Sequence, residues 1–343
     1  VDYCIPEYGH RDVYANAIEA LPLSNSPEVF GLHPNAEISY LTSSAKQMWA
    51  DLILQQPRVG GGGGGMSRED QIASTATGIL SKIPTVYDML IVRKQVGIPT
   101  PCQVVLLQEL DRYNLILVKM RISLVDLKRA LTGEVGMSAD LDALGASLFN
   151  GQLPEMWRKL VPATQKGLGS WLTHFERRNA QYKDWLANGE PKVMWLSGLH
   201  IPQPYLAALV QTACRAKGWP LDKSIMYTEV TRFVTEDEVS ERPPFGCYAS
   251  GLYLEGASWD HERSVLRRQL PKVLFEELPI LQVIPIEASK LKLANTFQTP
   301  VYVTQARRNA MGVGLVFDAD IKTREHISHW VLQGVCLVLN IDQ

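Results

Sequence analysis

The spacing of apolar residues divides the chain into a helical first part and a strand-rich last part. Before residue 190, apolar side chains recur every three or four residues, which is typical of amphipathic helices. A strong helix start lies at Thr100-Pro101-Cys102-Gln103, where Thr can cap, Pro fits the first helical position and Gln completes a capping box. The predicted helices cover residues 10–21, 35–56, a segment that restarts at 67, 83–96, 100–131, 138–149 and 164–186.

After Lys192 the period of the apolar pattern shortens. VMWLSGL predicts a strand, Pro202–Lys217 predicts a helix that Gly218 ends, and a late helix is predicted at 324–332. The other strand-like runs are 225–233, 247–254, 281–286, 300–304, 313–317 and 335–340. These six runs predict a small, mostly antiparallel barrel or sandwich, so we expect the whole chain to be α+β.

The composition is that of an ordinary globular protein. The chain has 343 residues, of which 46% are hydrophobic and 20% charged, enough for two or three packed units. A formal net charge of −2 gives no basic field that would attract nucleic acid or anionic lipid. No apolar run reaches the roughly 18 residues needed to span a bilayer. We expect the local basic pairs to be solvated or ion-paired: Arg177-Arg178, Arg267-Arg268 and Arg307-Arg308.

The cysteines show no disulfide or zinc pattern. They are five in number, widely spaced and without a CxxC pair: Cys4, Cys102, Cys214, Cys247 and Cys336. This usage favours a reducing compartment such as the cytosol or a cilium. The sequence starts at Val1 without a signal peptide, and we expect it to be an excised fragment.

The glycine run at 60–65 imitates a phosphate-binding loop. Residues 60–67 match G-x4-G-K-[ST] except that Met66 stands where the lysine is required. That lysine supplies the positive charge for the β- and γ-phosphates, and the run follows a predicted helix end rather than a buried strand. We therefore predict a linker, because glycine loses the most backbone entropy on ordering.

The other candidate catalytic motifs are incomplete. Gly312-Val313-Gly314 lacks the third glycine and the following helix of a dinucleotide site. Ala249-Ser250-Gly251 and Leu196-Ser197-Gly198 lack the first glycine of a nucleophile elbow. The acidic runs Glu276-Glu277 and Glu236-Asp237-Glu238 have the character of solvated surface charge.

His326 and His329 lie three residues apart on the late predicted helix, next to Glu325. Two histidines at this spacing bind metal only with a further ligand, and no HExxH pattern is present. The favoured interpretation is that they cap and pack the last helix beside Trp330. We therefore predict no catalytic, cofactor-binding or metal-binding residue in this chain.

Four tryptophans surround the change from helices to strands: Trp157, Trp171, Trp185 and Trp195. Large aromatic side chains dominate the energetics of cores and interfaces. Core packing is the favoured interpretation. The alternatives are a docking surface between the helical and strand parts, and a ligand pocket.

Long, idiosyncratic strings occupy the last third of the chain: PKVMWLSGLHIPQPYLAALVQTACRAKGWPL, PPFGCYASGLYLEGASWD, TPVYVTQARRNAMGVGLVFDADI and HWVLQGVCLVLNID. They resemble the C-terminal region of dynein heavy chains, and the axonemal (ciliary) type in particular. PEVFGLHPNAEISYL and IPTVYDMLIVRKQ extend the resemblance over nearly the whole chain.

The resemblance implies three domains. Residues 1–96 would be the end of the sixth AAA+ module, including its small helical subdomain and the 60–65 glycine linker. Residues 97–190 would be a helical bundle, and residues 191–343 a β-barrel. The implied fold is an N-terminal α-helical part followed by a small six-stranded, mostly antiparallel β-barrel with one or two interspersed helices.

The resemblance also implies a role. The chain would be a non-catalytic regulatory and scaffolding domain that caps the AAA+ ring of an ATP-driven, minus-end-directed microtubule motor and modulates its motility. Other modules of the parent would bind ATP and Mg²⁺, so no cofactor is expected here. The implied partners are the other AAA+ modules of the same heavy chain and, for the parent, microtubules and the dynein intermediate and light chains. Neither nucleic acid nor membrane is expected, and the implied location is the ciliary or flagellar axoneme.

Two alternatives stay open. One is an independent β-barrel module that binds a ligand or peptide at its mouth. The other is a cryptic enzyme, for which no motif is complete.

Overall fold

The computed structural model of the protein describes residues 9–20, 26–54, 67–291, 293–309 and 312–341. Ten α-helices and thirteen strands lie within these ranges. The glycine run at 60–65 and Cys4 fall outside them, so the linker interpretation stays a prediction. Within the described ranges, no helix is both long and apolar enough to cross a bilayer.

The helices follow the predicted order, except that a short helix at 155–158 was not predicted and the last helix begins at 327 rather than 324. They are α1 (Arg11–Glu19), α2 (Asn35–Leu54), α3 (Arg68–Lys82), α4 (Met89–Val96), α5 (Pro101–Leu131), α6 (Ala139–Phe149), α7 (Glu155–Arg158), α8 (Leu168–Asn188), α9 (Pro202–Lys217) and α10 (Ile327–Leu332). Helix α4 begins later than predicted because Asp88 fixes its start. The Asp88 carboxylate accepts the backbone N–H groups of Leu90 and Ile91 at 3.0 and 3.2 Å.

Helix α5 is the longest, with 31 residues, and its start is the predicted capping box. Thr100 Oγ1 accepts the N–H of Gln103, and Gln103 Oε1 accepts the N–H of Thr100. One face carries a continuous buried seam at alternating spacings of four and three: Cys102, Leu106, Glu109, Tyr113, Ile116, Met120, Ser123, Leu127 and Ala130. This seam packs against helices on both sides and makes α5 the axis of the helical part.

The strands are more numerous than the sequence predicted, and many of them are very short. They are β1 (Val193–Trp195), β2 (Ser224–Val230), β3 (Cys247–Ser250), β4 (Tyr253–Glu255), β5 (Ala257–Asp260), β6 (Val265–Arg268), β7 (Phe275–Glu277), β8 (Leu281–Glu287), β9 (Thr296–Thr304), β10 (Arg308–Asn309), β11 (Gly312–Val313), β12 (Leu315–Lys322) and β13 (Cys336–Asn340). Those of two to four residues give too short an alternation for a sequence pattern to reveal.

Two main sheets hold most of the strands. The four-stranded sheet has the order β1-β3-β8-β2 and the five-stranded sheet the order β12-β9-β13-β4-β7. Pairing is antiparallel except for β1 with β3 and β9 with β13. Strands β5 with β6 and β10 with β11 form separate two-stranded ribbons. The predicted α+β class is confirmed.

Gly251 explains why the predicted strand 247–254 belongs to two sheets. Its φ of +76° is a left-handed conformation that favours glycine, and a Cβ there would lie 2.6 Å from Trp195 Cδ1. The backbone turns at this point, so β3 pairs in the four-stranded sheet and β4 in the five-stranded sheet. An alternating apolar pattern runs through both strands and therefore could not reveal the break.

The predicted six-stranded barrel is not confirmed, because the sheets do not close in the described part of the molecule. Edge strands β2 and β12 lie side by side, but side chains replace the backbone ladder between them. Thr228 Oγ1 accepts the N–H of Asp320 at 2.6 Å, and Asp320 Oδ2 accepts the N–H of Thr228 at 3.3 Å. Both residues are buried, and burial raises the pKa of Asp320.

The opposite edge of the four-stranded sheet is also blocked by a side chain. The Gln181 amide, on α8, accepts the N–H of Trp195 at 3.0 Å and donates to the Trp195 carbonyl at 3.2 Å. The amide thus takes the place of a neighbouring peptide group, and β1 offers no free pairing site at Trp195.

The Thr228–Asp320 contact predicts the effect of a conservative substitution. Thr228→Val should lower the free energy of unfolding by about 1–3 kcal/mol, because the buried N–H of Asp320 loses its acceptor. Chemical denaturation measures this loss. Thr228→Ser keeps the hydroxyl and should lose clearly less; equal losses in the two variants would show that the methyl group, not the hydrogen bond, matters.

Candidate functional site

Glu109 is a buried carboxylate inside the apolar seam of α5. Its side chain is 0% exposed. It accepts hydrogen bonds from the Tyr182 hydroxyl and from Arg112 Nη1, both at 2.8 Å. It also accepts the backbone N–H groups of His200 and, at 3.3 Å, Ile201. Four donors therefore surround a charge that would be very costly to bury without partners.

The two backbone donors precede helix α9, which has no cap from its own side chains. Ile201 is the N-cap residue and Pro202 the first helical residue. The Glu109 carboxylate, from a helix about ninety residues earlier in the sequence, lies at the positive end of α9 and satisfies N–H groups there. The position of α9, and of the strands packed on it, therefore depends on α5.

Helix α8 contributes a cation and a phenol to the same place. Buried Arg178 donates to the carbonyls of Gly198 and Ser197 at 2.9 and 3.3 Å. The Tyr182 hydroxyl lies 2.9 Å from the Gly198 carbonyl as well as 2.8 Å from Glu109. We call Glu109, Arg112, Arg178, Tyr182 and the 196–201 loop the Glu109 junction.

Burial keeps two titratable groups of the junction, Tyr182 and His200, neutral. It raises the pKa of Tyr182 well above its ordinary value, and the nearby Glu109 charge adds to the effect. Burial, together with the charges of Arg178 and Arg112, lowers the pKa of His200 to about 4. The phenol is thus a stable donor and His200 is uncharged near neutral pH, so the junction has the properties of a structural anchor.

A second polar contact joins the N-terminal helices to the strand part. Asn35 Nδ2 donates to the carbonyls of Leu270 and Val273 at 2.8 and 3.0 Å, and Asn35 Oδ1 accepts the N–H of Lys272 at 2.8 Å. Lys272 has a left-handed φ of +65°, so this amide holds a tight turn. Asn35 is buried, which makes the three bonds hard to replace with water.

Gln333, after α10, holds the same N-terminal segment from the other side. Its Oε1 accepts the N–H of His33 at 3.1 Å, and its Nε2 donates to the Gly31 carbonyl at 2.7 Å. We call Asn35, Gln333 and their partners the amide latch. The latch connects residues 31–35 to positions 235 or more residues later in the sequence.

Each of the two candidate serines donates its hydroxyl hydrogen to an oxygen acceptor within the fold. Ser250 Oγ donates to Glu236 Oε1 at 2.6 Å, and Glu236 also pairs with Arg177 at 3.0 Å. Ser197 Oγ donates to the Leu339 carbonyl at 2.5 Å. No histidine ring is hydrogen-bonded to either serine in the part of the sequence that the structure describes.

The two late histidines take the structural roles that the sequence favoured. His326 Nδ1 accepts the N–H of Ser328 at 3.2 Å and caps α10, while His329 contacts Trp330 edge-on with ring centroids 4.8 Å apart. Across the described ranges, no three His, Cys, Asp or Glu side chains are grouped so that they could hold a metal ion. Glu325 and His326 line an open cleft of about 850 Å³ with Asn295, Phe297 and Ile327.

Other sequence candidates are structural. Trp157, Trp171, Trp185 and Trp195 are all buried in the core. The four described cysteines are free and buried, and burial raises the pKa of three of them, Cys102, Cys247 and Cys336, to about 12. Gly312 pairs with Asn309 in the β10–β11 ribbon, where no helix follows.

Two expectations about charged residues were wrong. Arg178 is buried in the Glu109 junction rather than solvated or ion-paired. Glu276 is mostly buried rather than solvated: its side chain is 18% exposed and lies 3.9 Å from His261. The tertiary structure determines the burial of both side chains, because the residues next to them in the sequence give no indication of it.

The Glu109 junction and the amide latch were missed by the sequence analysis. One signal was present for Glu109, which interrupts an otherwise apolar seam with a charge. Asn35 was recognised as a helix start, and it is the first residue of α2, but its side chain bonds to a turn at 270–273. Nothing local in the sequence indicates that partner.

A family model for the C-terminal domain of the dynein heavy chain matches residues 42–339. The protein belongs to this family. The resemblance carried by the long strings in the sequence is thereby confirmed. The division of this dynein sequence into domains at 96 and 190 stays a prediction.

Relatives named as axonemal or flagellar dyneins align with the whole of this dynein sequence. The dynein-1-alpha heavy chain of the flagellar inner arm I1 complex from Chlamydomonas reinhardtii is 65% identical over 342 residues, 100% of this chain and 7% of that protein. Dynein axonemal heavy chain 10 from Homo sapiens is 58% identical over 343 residues, 100% of this chain and 8% of that protein. Dynein axonemal heavy chain 5 from Mus musculus is 37% identical, over 99% of this chain and 7% of that protein. The 343 residues therefore span less than a tenth of the length of these relatives.

The Glu109 junction predicts a large effect of a nearly isosteric change. Glu109→Gln should lower the free energy of unfolding by about 3 kcal/mol, because an amide NH₂ would face donors that now share a carboxylate. Denaturant unfolding of the 343-residue protein measures this. The control Glu134→Gln, at an exposed pair with Arg129, should change stability by at most about 0.5 kcal/mol. A loss as small at Glu109 would contradict its anchoring role.

The amide latch predicts a local effect. Asn35→Asp keeps Oδ1 as an acceptor but sets a carboxylate oxygen against the carbonyls of Leu270 and Val273. Hydrogen exchange of the α2 amides should accelerate about tenfold for each 1.4 kcal/mol of lost docking energy. Asn16→Asp on exposed α1 is the matched control and should leave α2 unchanged. Equal exchange rates in the two variants would show that the latch does not hold α2.

Proposed function

We propose that this protein is a non-catalytic regulatory and scaffolding module of an axonemal dynein heavy chain. It lies on one face of the AAA+ ring of an ATP-driven, minus-end-directed microtubule motor and modulates the motor's output. Its direct partners are other AAA+ modules of the same heavy chain, and its location is the ciliary or flagellar axoneme. ATP and Mg²⁺ are bound elsewhere in the parent, and this module needs no cofactor.

The observation that carries this proposal is the amide latch. It fixes the N-terminal helices, which we assign to the last ring module, against the strand part through five hydrogen bonds. A movement of the ring's last helices is then transmitted to the strand part as a rigid-body displacement. Rigid coupling of this kind is what a module that senses or restrains the ring requires.

The polar groups of the molecule support a structural role. In the Glu109 junction and the amide latch, a carboxylate, a guanidinium, a phenol and two amides form hydrogen bonds within the fold. The candidate serines are hydrogen-bonded to no histidine in the described ranges, and the carboxylate beside Ser250 is paired with Arg177. These arrangements favour anchoring over chemistry.

One observation favours a second candidate function, a module that binds a ligand or peptide. The cleft of about 850 Å³ between the start of β9 and α10 is of the size that small-ligand sites have. Its rim carries the exposed side chains of Arg324, Glu325 and His326. We rank it second, because the cleft is open to solvent.

The proposed role is tested in the intact heavy chain within its native complex. Asn35→Asp should change microtubule gliding velocity or stall force more than it changes microtubule affinity, because the latch is an internal contact between the two parts of this module. Deletion of residues 191–343 should act in the same direction and more strongly. The control Asn16→Asp should behave as the wild type.

Unchanged velocity and force in both the latch variant and the deletion would refute the regulatory role. An equal loss of affinity and velocity would also count against it, because that result is expected from a damaged motor rather than a released restraint. ATPase rates measured in parallel identify a general loss of folding.

A further inference from the structure

Helix α5 carries a second apolar seam on its outer face. Leu115 and Ile122 are 62% and 56% exposed, and Val118 and Val125 are each 42% exposed. Their spacings of three, four and three residues are those of the a and d positions of a coiled coil. We call these four residues the outer seam.

The outer seam lies opposite the buried seam of the same helix. Val118 and Ile122 follow the buried Ile116 and Met120 by two residues, which is a rotation of about 200° around the helix axis. Between residues 115 and 125 the helix is thus apolar on two opposite faces. A helix with this pattern is normally covered on both faces, and a contiguous exposed apolar strip marks an interaction surface.

The length of the seam limits its partner. The next positions of the same heptad pattern are Asp111 and Arg129, which form ion pairs with Arg93 and Glu134 at 2.9 and 3.3 Å. These polar pairs end the apolar strip on both sides. The contact therefore extends over about three helical turns, which is a suitable length for one side of a second helix.

The residues that flank the outer seam determine the charge of that helix. The e and g positions hold Lys119, Arg121 and Lys128 against a single carboxylate, Asp126. Arg121 donates to the Pro84 carbonyl at 3.3 Å, a neutral acceptor that leaves its charge uncompensated. Lys119 and Lys128 form no ion pair within the described ranges. The strip thus has a basic border that a partner with Asp or Glu at its flanks would neutralise.

A second copy of this protein fits the outer seam poorly. In an antiparallel pair, two α5 helices would place Lys119 against Lys119 and Arg121 against Arg121, because e faces e and g faces g. A parallel pair would gain only the contact of Arg121 with Asp126, and Lys119 and Lys128 would still face no carboxylate. Like charges at those positions are repulsive and act against self-pairing. Complementary charge therefore selects a different, acidic helix.

We propose that the outer seam binds an amphipathic α-helix that has apolar residues at heptad spacing and Asp or Glu on both flanks. This helix is supplied by the part of the same heavy chain outside these 343 residues, so the inference rests on the function proposed above. The relatives are more than ten times longer than this sequence. A covalently linked helix reaches the seam at an effective concentration in the millimolar range.

The first test measures how well the seam is covered in the intact heavy chain. Val118→Cys and Ile98→Cys are alkylated with a maleimide, and peptide mass spectrometry gives the rate at each site. Ile98 is 96% exposed and lies off the seam, so it is the matched control. Val118→Cys should react at least about tenfold more slowly than Ile98→Cys, since access limits thiol alkylation. If the two alkylation rates differ by no more than about twofold, they reflect only the exposure of the two side chains within these 343 residues. That result would overturn the proposal.

The second test identifies the partner. Carbodiimide treatment of the purified complex should join Lys119 and Lys128 to carboxylates of one heavy-chain peptide with apolar residues at three- and four-residue spacing. Ile122→Asp should reduce these cross-links at least about tenfold, and Ile98→Asp should leave them unchanged. Cross-links only to a separate polypeptide, to a second copy or to no peptide would each overturn the proposal.

The two proposals fail in distinguishable ways. If the latch variant changes velocity but Val118→Cys reacts as fast as Ile98→Cys, the regulatory role stands and the outer-seam helix is refuted. If Val118→Cys is protected and the heavy-chain cross-links form while the latch variant and the deletion leave motility unchanged, the contact stands without a regulatory role.

Discussion

The buried carboxylate of Glu109 is the interaction on which the arrangement of the two parts depends. It satisfies backbone groups at the start of α9, while Arg178 donates to the carbonyls of Gly198 and Ser197 in the loop before that helix. Helix α9 in turn packs on α5 and on β2 and β8. A charge at the centre of an apolar seam is costly, and it is tolerated because four donors converge on it. One carboxylate thus specifies how the helical part meets the sheets.

The extent of the two main sheets is set by the same need to satisfy backbone N–H and C=O groups. Side chains, rather than further strands, end the pairing at two edges: Gln181 at β1, and the Thr228–Asp320 pair between β2 and β12. This explains why six strands predicted from alternation became open sheets and not a barrel. The resulting strand part is held as one body with the helices by a continuous apolar core.

Polar contacts inside the molecule and apolar surface outside it have complementary roles. The Glu109 junction and the amide latch fix the relative positions of the protein's own parts. The outer seam of α5 has no counterpart within the described residues and points to a partner beyond them. The proposed regulatory role requires both properties, because such a module must be rigid internally and attached externally.

The sequence by itself determined the helices, their caps and the family. Heptad spacing and the Thr100–Gln103 capping box are local, so α5 could be placed almost to the residue. Long family-specific strings identified the dynein region without any structure. Only the tertiary structure decided the break at Gly251, the open sheets and the partners of Glu109, Arg178 and Asn35. The long-range hydrogen bonds of these three residues join groups between about twenty and about 240 residues apart, and no local pattern encodes which distant donor meets which acceptor.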